Sequence, residues 1–568
     1  MKLKVQMKNS FDLILTSILI LFLGAKDFPQ SHEIYLAAPK HPTYINQIIM
    51  GDTLSNGSRI DNERVYILQR GGVWFFNGVI TNEGWDIRIE AEDGTGPKPI
   101  IYGITAPGGY TVPIDFIKSR GNVYLKNIVV NGIYDLDPSY AEFTYGAPKE
   151  LVVYTEAGNY SMVVDSCIFL SAYQADLRTF AHIRSIRVTN TIFANSGCAP
   201  WQDVADGRAV DIRDVSIDNV YMVNNTFVNG QDRIFRHIAS TSRIRNFFFD
   251  HNTIINNGGT FGVIALGLVG DKVEIKNNLF VDPMVAASDT VYQRHYDFIE
   301  DAETFSPTIR DKVKQAWIYS QKEDSAYATN WDIKNNYWYY TPPIQAVWNK
   351  MKALYEPLLK PAPQMTDFIA NQLTDTSSAF IKLDTISFVN IPKPMADYAE
   401  WYFTPPPKGA GENNAGNNYK PFDKRTAIYH RDTMNCAYQT SSPAYTGDTD
   451  GFPAGDLNWF PNKLEEWLQI TDVKKYNENI PFKFLLEQNY PNPFNPSTVI
   501  RFSILKTSKV TLTVYNILGQ IIVTLVNQNL QAGNHEVNFN GSNISSGVYF
   551  YRLNAGSFTS TKKMLLLK

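Results

Sequence analysis

The sequence predicts an all-β protein, a right-handed parallel β-helix followed by a small C-terminal β-sandwich. Three observations lead to this prediction. Short runs of alternating apolar and polar residues end repeatedly in an Asn-containing turn. These runs recur about every 25 residues through the middle of the chain. A different set of alternating strands, separated by Pro-rich and Gly-rich turns, occupies the C-terminal end.

The repeat is clearest in Asp218–Gly230, which reads DNVYMVNNTFVNG. Equivalent polar residues occur at Asn127, Ser166, Asn190, Asn225, Asn252, Asn278 and Asn336. A unit of about 25 residues is shorter than a strand–helix–strand crossover, which needs roughly 30 or more, and it suits one coil of stacked strands. We expect these Asn residues to adopt the left-handed conformation at corners and to hydrogen-bond from coil to coil.

Composition excludes some classes of function. The chain of 568 residues has 52 basic and 56 acidic side chains, so its charge does not indicate a nucleic-acid partner. Aromatic residues make up 13% of the chain, which suits carbohydrate contact and is also common in strands. Three cysteines cannot form a disulfide framework, and no Cys/His cluster indicates a zinc site.

The N-terminus reads as an export signal in Met1–Ala25. Three lysines precede the apolar run Leu13–Leu23, which is short for a bilayer span, although an uncleaved anchor remains an alternative. No other run is long enough to span a membrane, so we expect none in the mature chain. Residues 26–480 are predicted to form the β-helix domain, and residues 484–568 the second domain.

The predicted coils run from Gly121 to about Asp282 and are interrupted by two inserts, Tyr134–Lys149 and Ser196–Gly207. Long inserts on a solenoid often line a binding site. Thr341–Tyr355 reads as a helix after a Pro start. A loop-rich region follows, and we expect its segment Asp450–Pro461 to cover the end of the coil as a cap.

Candidate site residues come from three strand segments that follow successive corners. These segments are Leu177–Ile183 (LRTFAHI), Gly207–Arg213 (GRAVDIR) and Asp232–Ile238 (DRIFRHI). Aligned, they place three arginines in one column and two histidines in another: Arg178, Arg208 and Arg233, and His182 and His237. Equivalent positions in a coil stack at about 4.8 Å, so like charges would repel unless an anion bridged them. The column is therefore a candidate cradle for uronate carboxylates or sulfates. The alternative is solvated charge paired with Asp211 and Asp214, with satisfied neutral histidines.

Ile87–Ile101, IRIEAEDGTGPKPII, resembles the opening coils of pectate-lyase-like β-helix proteins. The polysaccharide lyases on this scaffold neutralise a uronate carboxylate with calcium or basic residues, and a basic side chain then removes the neighbouring proton. The resemblance implies a lyase acting on acidic glycan. It implies Arg236 or His237 as the base. It implies a substrate site at Arg178, Arg208, Arg233 and Trp201, and calcium ligands at Asp203, Asp206 and Asp211.

Two other interpretations stay open. A glycoside hydrolase on the same scaffold would use paired carboxylates, for which Asp203, Asp206 and Asp211 are the dense acidic cluster. A non-catalytic surface protein would bind glycans or serve in adhesion. The fold alone does not choose between an enzyme and a binding protein.

The C-terminal segment resembles a specific module. Its motifs are QNYPNPFNPST at Gln488–Thr498, VTLTVYNILGQ at Val510–Gln520, SSGVYFYRL at Ser545–Leu553 and TKKMLLLK at Thr561–Lys568. From Phe484 to Lys568 the chain is similar to the type A C-terminal sorting domain of the type IX secretion system. This resemblance implies the secretion machinery as a partner, export across both membranes, and a secreted or surface location. We expect the exported protein to be a monomer.

Overall fold

The computed structural model describes residues 32–104, 113–132, 148–172, 174–197, 207–238, 241–259, 262–285, 288–289, 316–320, 327–354, 359–360, 362–403, 434–470, 485–504, 508–530, 533–556 and 558–567. They form two compact units, one within Glu33–Lys474 and the other in the C-terminal residues that follow. The first unit is a coil of three parallel sheets, to which each turn of the chain contributes one strand in the same order.

The strands of the first sheet are β1 (Glu33–Leu36), β2 (Val65–Leu68), β5 (Ile87–Ala91), β8 (Val123–Lys126), β11 (Ser161–Asp165), β14 (Ile183–Thr189), β17 (Ile217–Val223), β20 (Arg243–Asp250), β23 (Leu268–Lys276) and β27 (Asn330–Lys334). Those of the second are β3 (Val73–Phe76), β6 (Ile100–Gly103), β9 (Val129–Asn131), β12 (Ile168–Leu170), β15 (Ile192–Ala194), β18 (Thr226–Gly230), β21 (Thr253–Asn257), β24 (Leu279–Val281), β28 (Asn336–Tyr339) and β30 (Phe380–Lys382). Those of the third are β4 (Ile80–Thr81), β7 (Asp115–Ser119), β10 (Glu150–Tyr154), β13 (Ala175–Thr179), β16 (Arg208–Arg213), β19 (Phe235–Ile238), β22 (Ile264–Leu266) and β26 (Ile318–Ser320).

The coils stack in register, which confirms the predicted right-handed parallel β-helix. In the first sheet, Ile186 is level with Met162 of the preceding coil and Val220 of the following coil. These side chains are buried in one continuous apolar core. In the second sheet, the rings of Phe169 and Phe193 are stacked with centroids 5.4 Å apart, close to the spacing between neighbouring strands.

The corner between the first and second sheets turns on one residue in the left-handed conformation in each coil. These residues are Asn127, Ser166, Asn190, Asn224, His251, Asn277 and Asn335. The residue predicted to adopt the left-handed conformation is the correct one in the first three of these coils. In the other four the prediction, at Asn225, Asn252, Asn278 and Asn336, is wrong by one position. Each of these follows the left-handed residue instead and is fully buried beneath the corner.

These four buried asparagines form a hydrogen-bonded ladder between coils, as predicted. Asn225 Nδ2 donates to Asn252 Oδ1 at 2.9 Å. Asn252 Nδ2 donates to Asn278 Oδ1 at 3.1 Å, and Asn278 Nδ2 donates to Asn336 Oδ1 at 2.8 Å. Each amide therefore supplies both a donor and an acceptor inside the protein, where an unpaired polar group is costly.

Helices cover both ends of the apolar core. Helix α1 (Ile45–Gly51) contacts β3 and β4, the first strands of their sheets, and buries Ile45 and Ile49. Helix α2 (Pro342–Leu354) follows the last complete coil and buries Trp348 and Met351, which confirms the helix expected there. The remaining elements of this unit are α3 (Asp367–Ala370), α4 (Ala396–Phe403), α5 (Pro461–Ile470), two 3₁₀ turns (Pro443–Thr446 and Leu457–Trp459), and the antiparallel pairs β25 (Ser288–Asp289) with β29 (Leu359–Lys360) and β31 (Phe388–Asn390) with β32 (Asn435–Tyr438).

A segment that we call the strap, residues 454–460, runs along the second sheet. Asp456 accepts a hydrogen bond from Thr226 Oγ1 at 2.7 Å, and its backbone N–H donates to Thr253 Oγ1 at 2.8 Å. Asn458 Nδ2 donates to Asn190 Oδ1 at 3.2 Å. The expected cap over the coil end is therefore wrong: the strap crosses the side of several coils, because corner hydroxyls and amides present hydrogen-bonding partners there.

The C-terminal unit contains two antiparallel sheets. One sheet consists of β33 (Leu485–Leu486), β34 (Ser497–Ile504) and β37 (Gly533–Asn540). The other consists of β35 (Ser508–Tyr515), β36 (Ile521–Leu530), β38 (Gly547–Ala555) and β39 (Phe558–Leu566). Alternate residues such as Ile500 and Leu512 are buried, which confirms the small β-sandwich. In the described part of the chain, no helix is long and apolar enough to cross a membrane.

Candidate functional site

The candidate site lies on the outward face of the third sheet. In most of its strands two consecutive residues, such as Leu151 and Val152, are buried in the core, so the strand bends there; in β13 the first of these positions is the buried Asp176. The residues on either side of this pair then point away from the core. Each coil therefore contributes two outward columns, separated by three positions in the chain.

One outward column contains Asp115, Glu150, Ala175, Arg208 and Arg233. The other contains Lys118, Val153, Arg178, Asp211 and Arg236. The predicted single arginine column is therefore wrong in one member: Arg208 is level with Arg233, but Arg178 is level with Asp211. The alignment slipped by three residues because β13 begins at Ala175, so that Leu177 pairs with Val210 and not with Gly207.

Charges of opposite sign alternate over the last three members of the second of these columns, Arg178, Asp211 and Arg236. Arg236 binds both oxygens of Asp211, from Nε at 2.7 Å and from Nη2 at 2.9 Å. Arg178 Nε lies 2.7 Å from the same carboxylate, and its Nη1 pairs with Glu150. Burial alone would raise the pKa of Asp211, but the charges of the neighbouring arginines, Arg236 foremost, hold it well below its usual range.

The other two arginines share a second acid. Arg208 Nε lies 3.0 Å and Arg233 Nε 3.2 Å from Asp232 Oδ2. Arg233 Nη1 also donates to Tyr319 Oη at 3.1 Å. Asp232 and Asp211 thus reduce the repulsion between stacked arginines that the sequence suggested an anion would relieve. All four arginines, Arg178, Arg208, Arg233 and Arg236, are at most 3% exposed.

A carboxyl pair lies at the edge of this network. Glu150 and Asp115 are level on neighbouring strands. The pKa of Glu150 is raised to about 8, chiefly by burial; the charge of Arg178 opposes this rise and the hydrogen bond with Asp115 adds to it. Burial also raises the pKa of Asp115. Glu150 therefore holds a proton around neutral pH, although it contacts a guanidinium group.

The two residues that the resemblance implied as bases, Arg236 and His237, point in opposite directions. His237 is level with Ile212, is fully buried, and bonds through Nε2 to the carbonyl oxygen of Val215 at 3.0 Å. Burial lowers its pKa to about 4, so the imidazole is neutral. The pKa of Arg236 is also lowered, first by burial and then by the charge of Arg208.

The remaining sequence candidates are not all placed. Trp201, Asp203 and Asp206 lie outside the described residues. His182 is exposed and bonds to the carbonyl oxygen of Ser216 at 2.6 Å, next to the carbonyl of Val215 that the buried His237 contacts. Both oxygens of Asp211 already accept hydrogen bonds from arginine, so Asp211 does not fit the role of a calcium ligand. Within the described ranges, no group of three or more His, Cys, Asp or Glu side chains could hold a metal ion.

Sequence reasoning missed Glu150, Asp232 and Tyr319. A usable signal was present for Asp232, which directly precedes Arg233 at the start of an aligned segment. Glu150 could be found only after the strand register was known, since its partner Arg178 lies in the next coil and three positions further along the strand. Tyr319 follows a long interruption of the repeat, so the repeat spacing cannot be used to assign its position in a coil.

Comparison with known proteins concerns the C-terminal unit. Residues 488–567 match the family model described as the secretion system C-terminal sorting domain. No curated protein matches the chain. The protein is thus a substrate of type IX secretion, which delivers it to the cell surface or releases it from the cell.

Proposed function

We propose that the protein acts on acidic polysaccharide outside the cell, as a lyase that cleaves uronate-containing chains by β-elimination. Its export supports this proposal, since such substrates are extracellular. The observation that carries it is the gathering of four guanidinium groups from three coils onto one outward face, with Arg178 and Arg236 on either side of Asp211.

The chemistry requires masking of the uronate carboxylate, because the neighbouring C–H becomes acidic only when that charge is neutralised. Arg208 and Arg233 are the proposed partners of the carboxylate, since a guanidinium group binds it through two parallel hydrogen bonds. Trp201 is proposed to contact a sugar ring. A base then removes the proton, and the electron pair of that C–H bond forms the carbon–carbon double bond as the bond to the glycosidic oxygen breaks. The leaving oxygen takes a proton from solvent water.

Arg236 is the better candidate for the base than His237. It faces outward, whereas His237 faces the interior, away from any glycan that follows the outer wall. Its lowered pKa is in the direction that a general base requires. Asp211 holds its guanidinium group in one orientation through two hydrogen bonds. Calcium dependence is a separate prediction, tested with a chelator.

A second candidate function is non-catalytic glycan binding or adhesion. The observation that favours it is that the four arginines are buried and already paired with acids. Such an arrangement holds the coil wall together without chemistry. In this case the protein retains acidic glycan but releases no product.

The test is the ultraviolet absorbance of the unsaturated uronate, followed on several acidic polysaccharides with and without a calcium chelator. Arg236→Lys should reduce turnover by about 100-fold or more if Arg236 is the base. Arg245→Lys is the control, because Arg245 Nε also lies close to a carboxylate, that of Asp271 at 2.6 Å, but belongs to the first sheet. Melting temperatures of both variants establish that they are folded.

An unchanged rate for Arg236→Lys would reject Arg236 as the base. New reducing ends without ultraviolet absorbance would show that the protein is a glycoside hydrolase and not a lyase. Retention of glycan without either product would show that the protein binds glycan and does not cleave it.

A further inference from the structure

A separate pocket of about 610 Å³ lies among the N-terminal coils. It is formed by the loop after α1, the corner after β4, and the strand β7 with the corner that follows it. Its volume lies within the range of small-molecule sites, roughly 300–1,000 Å³. All of its lining residues belong to the described part of the first unit.

One wall of the pocket is rigid. The guanidinium group of Arg59 lies 4.0 Å from the ring centre of Trp85 and donates to Tyr66 Oη at 2.5 Å. Tyr66 in turn donates to Asp52 at 2.9 Å, so Arg59 is fixed by an aromatic ring and a buried polar pair. The corner beside it is closely packed, since a Cβ at Gly121 would lie 2.3 Å from the carbonyl oxygen of Trp85.

Lys118 differs from the two arginines of this pocket, because no acid of the described residues lies within ion-pair distance of its ammonium group. Arg59 pairs with Asp52 at 3.5 Å, and Arg120 pairs with Glu83 at 2.5 Å. The half-buried Lys118 ammonium group acts on Asp115, three positions earlier on β7, through its charge alone, which opposes the burial that raises the pKa of that carboxyl. A half-buried ammonium group of this kind favours an anionic ligand.

The rest of the lining is neutral and rich in hydrogen-bonding groups. It includes the hydroxyl groups of Thr53, Ser58 and Thr81 and the amides of Asn62 and Asn82. A single available positive charge surrounded by hydroxyls and amides suits a ligand with one negative charge and several hydroxyl groups. A phosphate group would instead be expected to require several charged donors.

We propose that this pocket binds a uronate sugar, with its carboxylate on Lys118 and its hydroxyl groups on the neutral lining. Lys118 also belongs to the outward column that runs from Thr81 through Arg178 to Arg236. The pocket is therefore on the same wall as the candidate site but several coils away from Arg236. Binding at this pocket does not require elimination at the arginine network.

Titration calorimetry of the full chain tests the proposal. The probes are galacturonate, glucuronate, a uronate trisaccharide, the neutral sugar galactose, and inorganic phosphate. We expect both uronates to bind, galactose to bind at least about tenfold more weakly, and Lys118→Met to weaken uronate binding by about tenfold or more. Tighter binding of the trisaccharide than of the monosaccharides would indicate that the ligand is the end of a polysaccharide. Equal binding would indicate that the ligand is a free sugar acid.

Two control variants separate this proposal from others. Lys126→Met removes a half-buried lysine from β8 in the same part of the coil but outside the pocket, and should leave binding unchanged. Lys272→Met removes a half-buried lysine from β23, outside the pocket and the arginine network, and should also leave binding unchanged. Full uronate affinity in Lys118→Met, no uronate binding by the native chain, or phosphate binding as tight as uronate binding would each overturn the proposal.

Discussion

Asn252→Ala should destabilise the β-helix unit strongly, because Asn252 is a central member of the asparagine ladder. Its amide makes four hydrogen bonds: Oδ1 accepts from Asn225 N and Nδ2 at 3.0 and 2.9 Å, and Nδ2 donates to Met222 O and Asn278 Oδ1 at 2.9 and 3.1 Å. The site is fully buried, so water does not replace these partners. The substitution removes four hydrogen bonds and leaves the Asn225 N–H without its acceptor. We expect a loss of about 3–5 kcal/mol in the free energy of unfolding.

Urea unfolding, followed by circular dichroism and tryptophan fluorescence, measures this loss. Asn219→Ala is the matched control, because Asn219 is half-buried and accepts a hydrogen bond from Asn246 at 3.0 Å. It should lose no more than about 1 kcal/mol. Equal losses in the two variants would refute the reasoning, since the ladder would then contribute no more than a partly exposed pair.

Three further predictions concern charge, pH and packing. Asp211→Asn removes the charge that pairs Arg178 with Arg236, and should lower the free energy of unfolding by about 3–5 kcal/mol in urea; a loss below about 1 kcal/mol would contradict this. Burial raises the pKa of Glu150 to about 8 and that of Asp456 to about 7, so the folded protein holds these protons more tightly than the unfolded chain. The stability that they contribute is complete below about pH 4 and is lost as the pH rises to about 8, so the melting temperature should fall over this range and fall less in Asp456→Asn. Gly258→Ala would place a Cβ 2.1 Å from the carbonyl oxygen of Gln231, and should cost about 1–3 kcal/mol in urea unfolding. Gly51→Ala, with nothing within 4 Å, is its control, and an equal effect would count against the close packing.

The fold was predictable because its repeat depends on local chemistry. A left-handed corner strongly favours Asn, and buried strands favour Val, Ile and Phe, so each coil leaves the same pattern in the sequence. The corner was predicted one residue late at Asn225 because two asparagines stand side by side there. Either of them suits a turn, and only the structure separates the left-handed Asn224 from the ladder residue Asn225.

The site was less predictable because it depends on register between coils. Arg208 and Arg233 were aligned correctly, since both directly follow a corner, but Arg178 was displaced by three positions. The outward direction of a side chain also depends on a bend in the strand. Alternation counted from the sequence cannot locate this bend, because the two consecutive core residues interrupt it.

The strap has a consequence for how the protein is made. Hydrogen bonds from Gly455, Asp456 and Asn458 reach four consecutive coils, and one of them joins residues 268 positions apart. A simple solenoid is stabilised mainly by neighbouring coils and can complete itself in the order of synthesis. Here the middle coils gain these bonds only after residue 458 has been synthesised, when little more than the sorting domain remains. The stack therefore gains its last hydrogen bonds only when the C-terminal sorting domain is about to be synthesised.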